Sequence, residues 1–331
     1  MKIPSIKTIR RRTLLKYGCL SLVPINAVSQ SNYPSKPIRL IVQFVPGGNV
    51  DTFARLLAIR LSIKLGQPVS VDNRGGANGA IAYQALASSP KDGYTLGIGH
   101  IAQMALNPHF LKNIGYKPLT DFTSIVRLVD APNVLAVHPS TDVRTFKEFM
   151  ALAKQKPGQI TLGHAGVGTV GHLSGAWLEK EAGVDFLQVP YKGSGQILND
   201  LLSGQVMASF GSLPSYMPSI EAGKLKAIAV TTSKRLPSYP EIPTISESGY
   251  PGYHVVAWLG LIGPAGLPNE ISNSLELAAL EVISDPKNKA TLDLNGFLPN
   301  PANSKEFTAF VKSEYASWGK IITERGYTAA E

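Results

Sequence analysis

From Ile38 to Val45 the chain is apolar with little interruption. From Phe53 onward apolar positions recur every fourth residue, at Phe53, Leu57 and Leu61, with Ala54, Ala58 and Leu65 beside them. The first pattern predicts a buried strand, the second a helix lying on a sheet, and Gly66 followed by Pro68 marks the helix stop. The alternation then repeats. Val69–Asp72 reads as a short strand, Asn73–Gly79 as a loop, Ala80–Ser88 as a helix of small residues, and Tyr94–Ile98 as a strand running into Gly99-His100. Three strand–helix units in succession predict a parallel sheet with right-handed crossovers.

A second series of the same kind follows. Phe122–Val129 and Asn133–Val137 are strand-like and separated by Pro132, and Thr145–Lys156 is a helix closed by Pro157-Gly158. Strands at Ile160–Ala165, Phe186–Val189, Met207–Phe210 and Lys226–Val230 then alternate with helices at Gly171–Ala182, Gly193–Leu202 and Pro214–Ala222. The stretch Leu236–Tyr253, rich in Pro, Gly and Ser, reads as a crossing segment. Val255–Ile262 returns as a strand, with a helix at Asn269–Ser284. In the last helix Asn303 and Glu306 have capping-box spacing, Phe307, Phe310, Val311, Trp318, Ile321 and Ile322 share one face, and Gly326 ends it. Two α/β units joined by two crossings predict a cleft between them as the ligand site.

Composition changes this picture only at the N-terminus. The formal charge of +9 includes Lys2, Lys7, Arg10, Arg11, Arg12 and Lys16, with no acid among the first 29 residues. A modest apolar stretch follows, interrupted by Pro24 and Asn26, and Ala27-Val28-Ser29 offers small residues for cleavage; residues 1–29 read as an export signal. Arg11-Arg12-Thr13-Leu14-Leu15-Lys16 resembles a twin-arginine signal, and an ordinary secretory signal fits as well. Without this segment about +3 remains, so a nucleic-acid partner loses its support. Cys19, the single cysteine, falls in the same segment, which leaves the rest of the chain no disulfide or thiol chemistry. The mature chain, roughly 300 residues, has length for two domains and is expected to be soluble and outside the cytoplasm.

Two glycine loops stand at strand-to-helix junctions. Pro46-Gly47-Gly48 leads into the helix that begins near Asp51, where unpaired first-turn amides suit an anion; a plain tight turn fits this stretch equally. Gly166-Val-Gly-Thr-Val-Gly171 has dinucleotide-fingerprint spacing, but the next strand ends in Pro190-Tyr191-Lys192-Gly193 without the acid a ribose would need. An anion-receiving loop, with Thr169 adding a hydroxyl, is the simpler reading. The six histidines show no close metal-ligand spacing. His100 lies at a strand's C-terminal end, where ligand sites of parallel sheets collect, although a surface loop histidine fits too. Ser194 in Lys192-Gly-Ser-Gly195 lacks a full nucleophile elbow. No catalytic set emerges, and neither a cofactor nor a metal is expected.

The chain resembles the Bug-type solute-binding proteins of tripartite tricarboxylate transporters along nearly all its mature length. The resemblance rests on Lys36-Pro-Ile-Arg-Leu-Ile-Val42, Pro46-Gly-Gly-x-x-Asp51, Leu65-Gly-Gln-Pro-Val69, Asn73-Arg-Gly75, Asp92-Gly-Tyr-Thr-Leu96, Asn107-Pro108, Gly168-Thr169, Val189-Pro-Tyr-Lys-Gly193, Glu247-Ser-Gly249 and Ala257-Trp258, in the family's order. It implies a two-domain Venus-flytrap fold of the type II periplasmic binding class, each domain a mainly parallel sheet flanked by helices. Residues 30–132 and 252–331 would form the first domain and 133–251 the second. It implies a periplasmic, non-enzymatic monomer that binds a small organic carboxylate and delivers it to a permease with large and small subunits. By position the resemblance nominates Gly47, Gly48 and Asp51 in one jaw and Gly168, Thr169 and Val170 in the other; Asp51 would orient water or cap its helix.

Departures from the family pattern sharpen the expectation. Val45 replaces the first proline of a common Pro-Pro-Gly-Gly, Val170-Gly171 stands where hydroxyl residues are usual, and Gly211-Ser212 stands where many relatives carry an acid. Lacking that acid, the cleft is expected to disfavour an amino acid, and His100 would read the far end of the ligand. A plain or aromatic carboxylate is expected over a citrate-like one. A ligand-sensing partner of a membrane receptor, and an exported α/β hydrolase using Ser194 or His100, are the alternatives.

Overall fold

Ile38–Val42 (β1) is the apolar run the pattern anticipates, with Leu40 and Val42 wholly buried. It pairs in parallel with Val69–Asn73 (β2) on one side and Thr95–His100 (β3) on the other. Asn49–Leu65 (α1) buries Phe53, Ala54, Leu57, Ala58 and Leu61, the face its four-residue period marks out, and Gly66 ends it in left-handed conformation. Ala80–Ala87 (α2) completes the second strand–helix unit. The computed structural model describes residues 33–326 apart from 167 and 192, and apart from the side chain of Arg325. The expected export signal at 1–29, with Cys19, lies outside the described residues. By contacts the chain separates into Met1–Tyr33 and Pro34–Glu331, and all the elements lie in the latter.

After β3 the chain enters a π-helical turn, Ala102–Leu106, and the short helix Asn107–Phe110 (α3), neither of which the pattern announces. Ala102–Leu106 is buried on every side, so it carries no amphipathic period to read. Phe122–Ala131 (β4) then leads directly into the second sheet. That sheet comprises Asn133–Val137 (β5), Ile160–His164 (β6), Phe186–Pro190 (β7), Ala208–Ser212 (β8) and Lys226–Val230 (β9). Its helices are Phe146–Gln155 (α4), Val170–Ala182 (α5), Ser194–Leu202 (α6) and Leu213–Glu221 (α7). The chain returns through Ala257–Pro264 (β10), Asn269–Ser284 (α8), Pro286–Leu294 (α9), Leu298–Ala302 (β11) and Ser304–Arg325 (α10). The α10 capping box forms as its spacing predicts: the Glu306 amide donates to Asn303 Oδ1, and the Asn303 amide donates to Glu306 Oε2. Elements α9 and β11, in a proline-interrupted stretch with weak periodicity, were not foreseen.

The strand orders are β11-β4-β10-β3-β1-β2 and β7-β6-β8-β5-β9. The expected parallel pairing holds for β2-β1-β3 and β7-β6-β8, but each sheet is mixed. The reason lies in the crossings. β5 arrives from the first sheet and is inserted between β8 and β9, antiparallel to both. β10 returns from the second sheet and is inserted between β3 and β4, again antiparallel to both. A strand that joins a sheet without its own crossover helix has no right-handed βαβ unit to set it parallel.

Both crossings meet at Thr231, which is wholly buried. Its amide donates to Asn133 O at 3.0 Å, its hydroxyl accepts from the Asn133 amide at 3.2 Å, and its carbonyl accepts from the Val255 amide at 3.1 Å. Among the described residues no helix is long and apolar enough to cross a membrane. Leu259, 0% exposed at the centre of β10, should cost about 3 kcal/mol when truncated to Ala, and Asn303→Ala about 1 kcal/mol through the lost cap. Ile63→Ala, at a site 72% exposed, should stay within about 0.5 kcal/mol; urea unfolding midpoints check all three.

Candidate functional site

The first glycine loop is built around a buried carboxylate. Asp51, 3% exposed in the first turn of α1, accepts the Gly47 amide at 2.9 Å and Arg55 Nε at 3.0 Å on Oδ2, and Asn73 Nδ2 at 2.9 Å on Oδ1. Asn73 also donates to Phe44 O at 3.0 Å, so β2 ties down both ends of the loop. Burial alone would push the Asp51 carboxyl up; the hydrogen bonds from Arg55, Gly47 and Asn73 and the Arg55 charge outweigh it and hold the group below the ordinary aspartate value. Asp51, at the third position of α1, thus reaches back past the N-cap Gly48 to the Gly47 amide and fixes the turn that enters the helix. The Gly48 and Asn49 amides carry no hydrogen bond to any described residue. They stand at the positive end of α1 in a partly exposed loop.

The second loop is held by hydroxyl and imidazole groups. Thr169 is the N-cap of α5: its hydroxyl donates to Gly166 O at 2.7 Å and accepts the His172 amide at 3.4 Å. The Gly166 amide donates to His164 Nδ1 at 3.2 Å and the Gly168 amide to His172 Nδ1 at 3.4 Å. The Val170 and Gly171 amides, in the first turn, carry no hydrogen bond to any described residue. Gly168 has φ +78°, and a Cβ there would sit 3.0 Å from Asn107 Oδ1 of α3. The loop of the second sheet therefore lies directly against the first-sheet half, where the Phe110 and His172 rings also meet at 6.3 Å.

A seam of buried amides connects the two loops. Gln43, just before the first loop, donates from Nε2 to Gln103 Oε1 at 3.3 Å. Gln103 Nε2 and Asn107 Nδ2 both donate to Asn78 O at 2.9 Å. The amide orientations follow from one another. Asn78 O can only accept, so Gln103 presents its NH2 to it and its oxygen to Gln43, and Gln43 must present its own NH2. Gln43 Oε1 is left buried and unpartnered on a side chain 1% exposed. Sequence reasoning does not single out Gln43, Asn78, Gln103 and Asn107 as site residues, because isolated amides leave no periodic mark; His164 and His172 it places beside the second glycine loop, with a structural role for His172 just inside its helix.

His100 is 5% exposed, so it is not a surface histidine. Its Nδ1 accepts the Ala102 amide at 3.1 Å, its ring meets Phe44 edge-on at 5.5 Å, and burial pushes the imidazole down to about 4. It is neutral at physiological pH and carries its proton on Nε2. Gly211 and Ser212 end β8 beside the crossing, paired with Val134 and Asn133. Gly211 packs under the Tyr216 ring, which leaves no room for a Cβ, so its lack of a side chain serves the second core. Val170 is the buried first residue of α5. Ser194 opens α6 and, among the described residues, hydrogen-bonds to no histidine or carboxylate. Among the described residues no cluster of three or more His, Cys, Asp or Glu could hold a metal ion.

Comparison with known proteins meets this geometry. Residues 53–327 match the family described as Tripartite tricarboxylate transporter family receptor. The chain is 33% identical over 300 residues to Protein BugT of Bordetella pertussis, covering 90% of this chain and 92% of that one. Among solved structures, "R. palustris Rpa4515 with adipate" is similar at 36% identity and TM-score 0.84, over 89% of this chain and 98% of its own. MatC from Rhodopseudomonas palustris with bound malate is similar at 29% identity and TM-score 0.79, over 88% and 100%.

Because three donors converge on the buried Asp51 carboxylate, Asp51→Ala is expected to lower stability by about 2 kcal/mol in urea unfolding at pH 7. A depressed carboxyl contributes stability above its unfolded value of 3.8 and loses it as pH falls through its folded value. The gap between the proteins should therefore narrow below about pH 4.

Proposed function

The chain belongs to the family of tripartite tricarboxylate transporter receptors, and from that membership we propose that it holds a small organic carboxylate between the 47–48 loop and the 168–170 loop for delivery to a membrane permease. The observation that carries this reading is the pairing of two helix starts. Gly48 and Asn49 of α1 and Val170 and Gly171 of α5 offer unengaged amides, and the Gln43–Gln103–Asn78–Asn107 seam runs from one loop to the other. Backbone amides at helix N-termini bind an anion without a formal cation. Arg55, the guanidinium at the first loop, already spends its charge on Asp51.

The lobes would divide at the crossings, residues 30–132 with 252–331 against 133–251, and close on the ligand about Thr231 and Asn133. Residues 1–29 would direct export to the periplasm. The relatives with bound adipate and malate support a dicarboxylate. Val45, 64% exposed beside the first loop, and Val170 at the second favour an aliphatic or aromatic spacer over the hydroxyl-rich body of a citrate-like ligand. Neutral His100, which also hydrogen-bonds to the Gln103 side chain, would line the far end.

A thermal-shift and calorimetric screen of mono-, di- and tricarboxylates tests the reading. A true ligand at a hundred times its Kd should add about 2.7 kcal/mol of stability by linkage. Stabilisation only by amines, sugars or metal ions would sink the proposal. Gly168→Ala forces a side chain into left-handed backbone and against Asn107, and is expected to weaken the ligand at least about tenfold. Unchanged affinity would remove the second loop from the site.

A further inference from the structure

The second loop owes its shape to two imidazoles. His164, at the end of β6, and His172, in the first turn of α5, each turn Nδ1 toward a loop amide, and their rings lie 4.9 Å apart. A ring nitrogen can accept an N–H only while it is unprotonated, so both bonds require neutral rings with the proton on Nε2. Protonation would replace each acceptor with a donor facing a donor. The Gly166 and Gly168 amides would then lose their partners, and the turn that sets the Val170 and Gly171 amides would lose its support.

We propose that His164 and His172 are positioning residues that hold the anion-receiving loop through Nδ1, so that the loop is formed while both rings are neutral and opens when acid protonates them. This rests on the reading of the 168–170 loop as a ligand jaw, and adds to it a built-in sensitivity to the acidity of the surroundings.

The groups around the pair agree with a neutral state. Within the pair each ring faces the other, and burial, followed by the His164 charge, pushes His172 down to about 4, while burial lowers His164 against a weaker opposing effect of the Gly166 backbone. From α3 come Asn107 and Phe110, which are uncharged, and His109, whose Nε2 is engaged with Tyr315 O at 2.9 Å. From β8 the uncharged Phe210 comes toward Gly171 with its carbonyl oxygen and Cβ. Just after β7 the Tyr191 amide donates to His164 O, while the Tyr191 hydroxyl donates to Asp200 of α6 at 2.7 Å. Among the described residues no carboxylate contacts either ring to stabilise its cation.

A bound anion would attract an imidazolium, which opposes the geometric effect. The amides nevertheless act at direct hydrogen-bond distance, and they point correctly only while the loop is closed. Affinity is therefore expected to fall with acid, not rise.

Two measurements test this. In ligand-free protein, ¹H–¹⁵N resonances of Gly166 and Gly168 should titrate with the same midpoints as the His164 and His172 ring signals. Glycine amides that stay fixed while the rings titrate would overturn the proposal, whether or not a ligand has been found. The second measurement is adipate affinity by calorimetry from pH 7 to pH 4. Asn places its Oδ1 near the position of Nδ1 and does not titrate, so His164→Asn/His172→Asn should bind adipate more tightly at pH 7 than a variant lacking the acceptor and lose the histidine-dependent part of the pH profile. His172→Leu, which removes the acceptor, should lose about tenfold at pH 7. Against the double Asn variant, which controls for protonation of adipate itself, the native protein should lose a further tenfold or so by pH 4. The same pH profile in both proteins would overturn the proposal. If adipate binds neither protein at any pH, the ligand reading fails and the amide titration alone decides the loop.

Discussion

Everything in this fold depends on two crossings between the sheets, tied together where they meet. β5 and β10 each follow a crossing and enter the middle of a sheet antiparallel to both neighbours, and Thr231 hydrogen-bonds to Asn133 on one crossing and Val255 on the other. Because Thr231 is fully buried, these bonds are not exchanged with water. The two connections are thereby held side by side. The second sheet is one contiguous piece of sequence, whereas the first is completed only by β10 and β11 after the chain returns, so the first half draws on both ends of the chain.

That arrangement brings strand C-termini from both sheets to one region. There the chemistry is carried by neutral donors. The single buried charge, Asp51, points inward and organises its own loop, and Arg55 neutralises it. The second loop does the same work without any formal charge, using a threonine hydroxyl and two imidazoles. Left over in both loops are helix-start amides, a set of dipoles whose direction is set before any ligand arrives. Preorganised amides favour an anion and distinguish poorly among anions. On the proposed reading, discrimination would come from what surrounds them, including Val45, Val170 and His100.

The seam of Gln43, Gln103, Asn78 and Asn107 shows how tightly the region is packed. One forced hydrogen-bond direction propagates through it and leaves the Gln43 oxygen without a partner. An unpartnered buried acceptor costs about 1–3 kcal/mol, a local conflict of the kind found where function outweighs stability.

What the sequence determined by itself is local. The apolar face of α1, the capping box of α10, the two glycine loops at strand-to-helix junctions and the alternation of strands with helices all follow from residue spacing and backbone preference within a few turns. The ordered run of short motifs was enough to point to the family. The tertiary structure alone decided the rest: the antiparallel insertion of β5 and β10, the burial of His100, the packing of Tyr216 over Gly211, and the turning of His164 and His172 toward the second loop. These depend on partners such as Thr231 and Asn133, 98 residues apart, or Gln43 and Gln103, 60 apart. A hydrogen bond between distant residues leaves no period, spacing or composition in the chain. It exists only once the sheets have assembled.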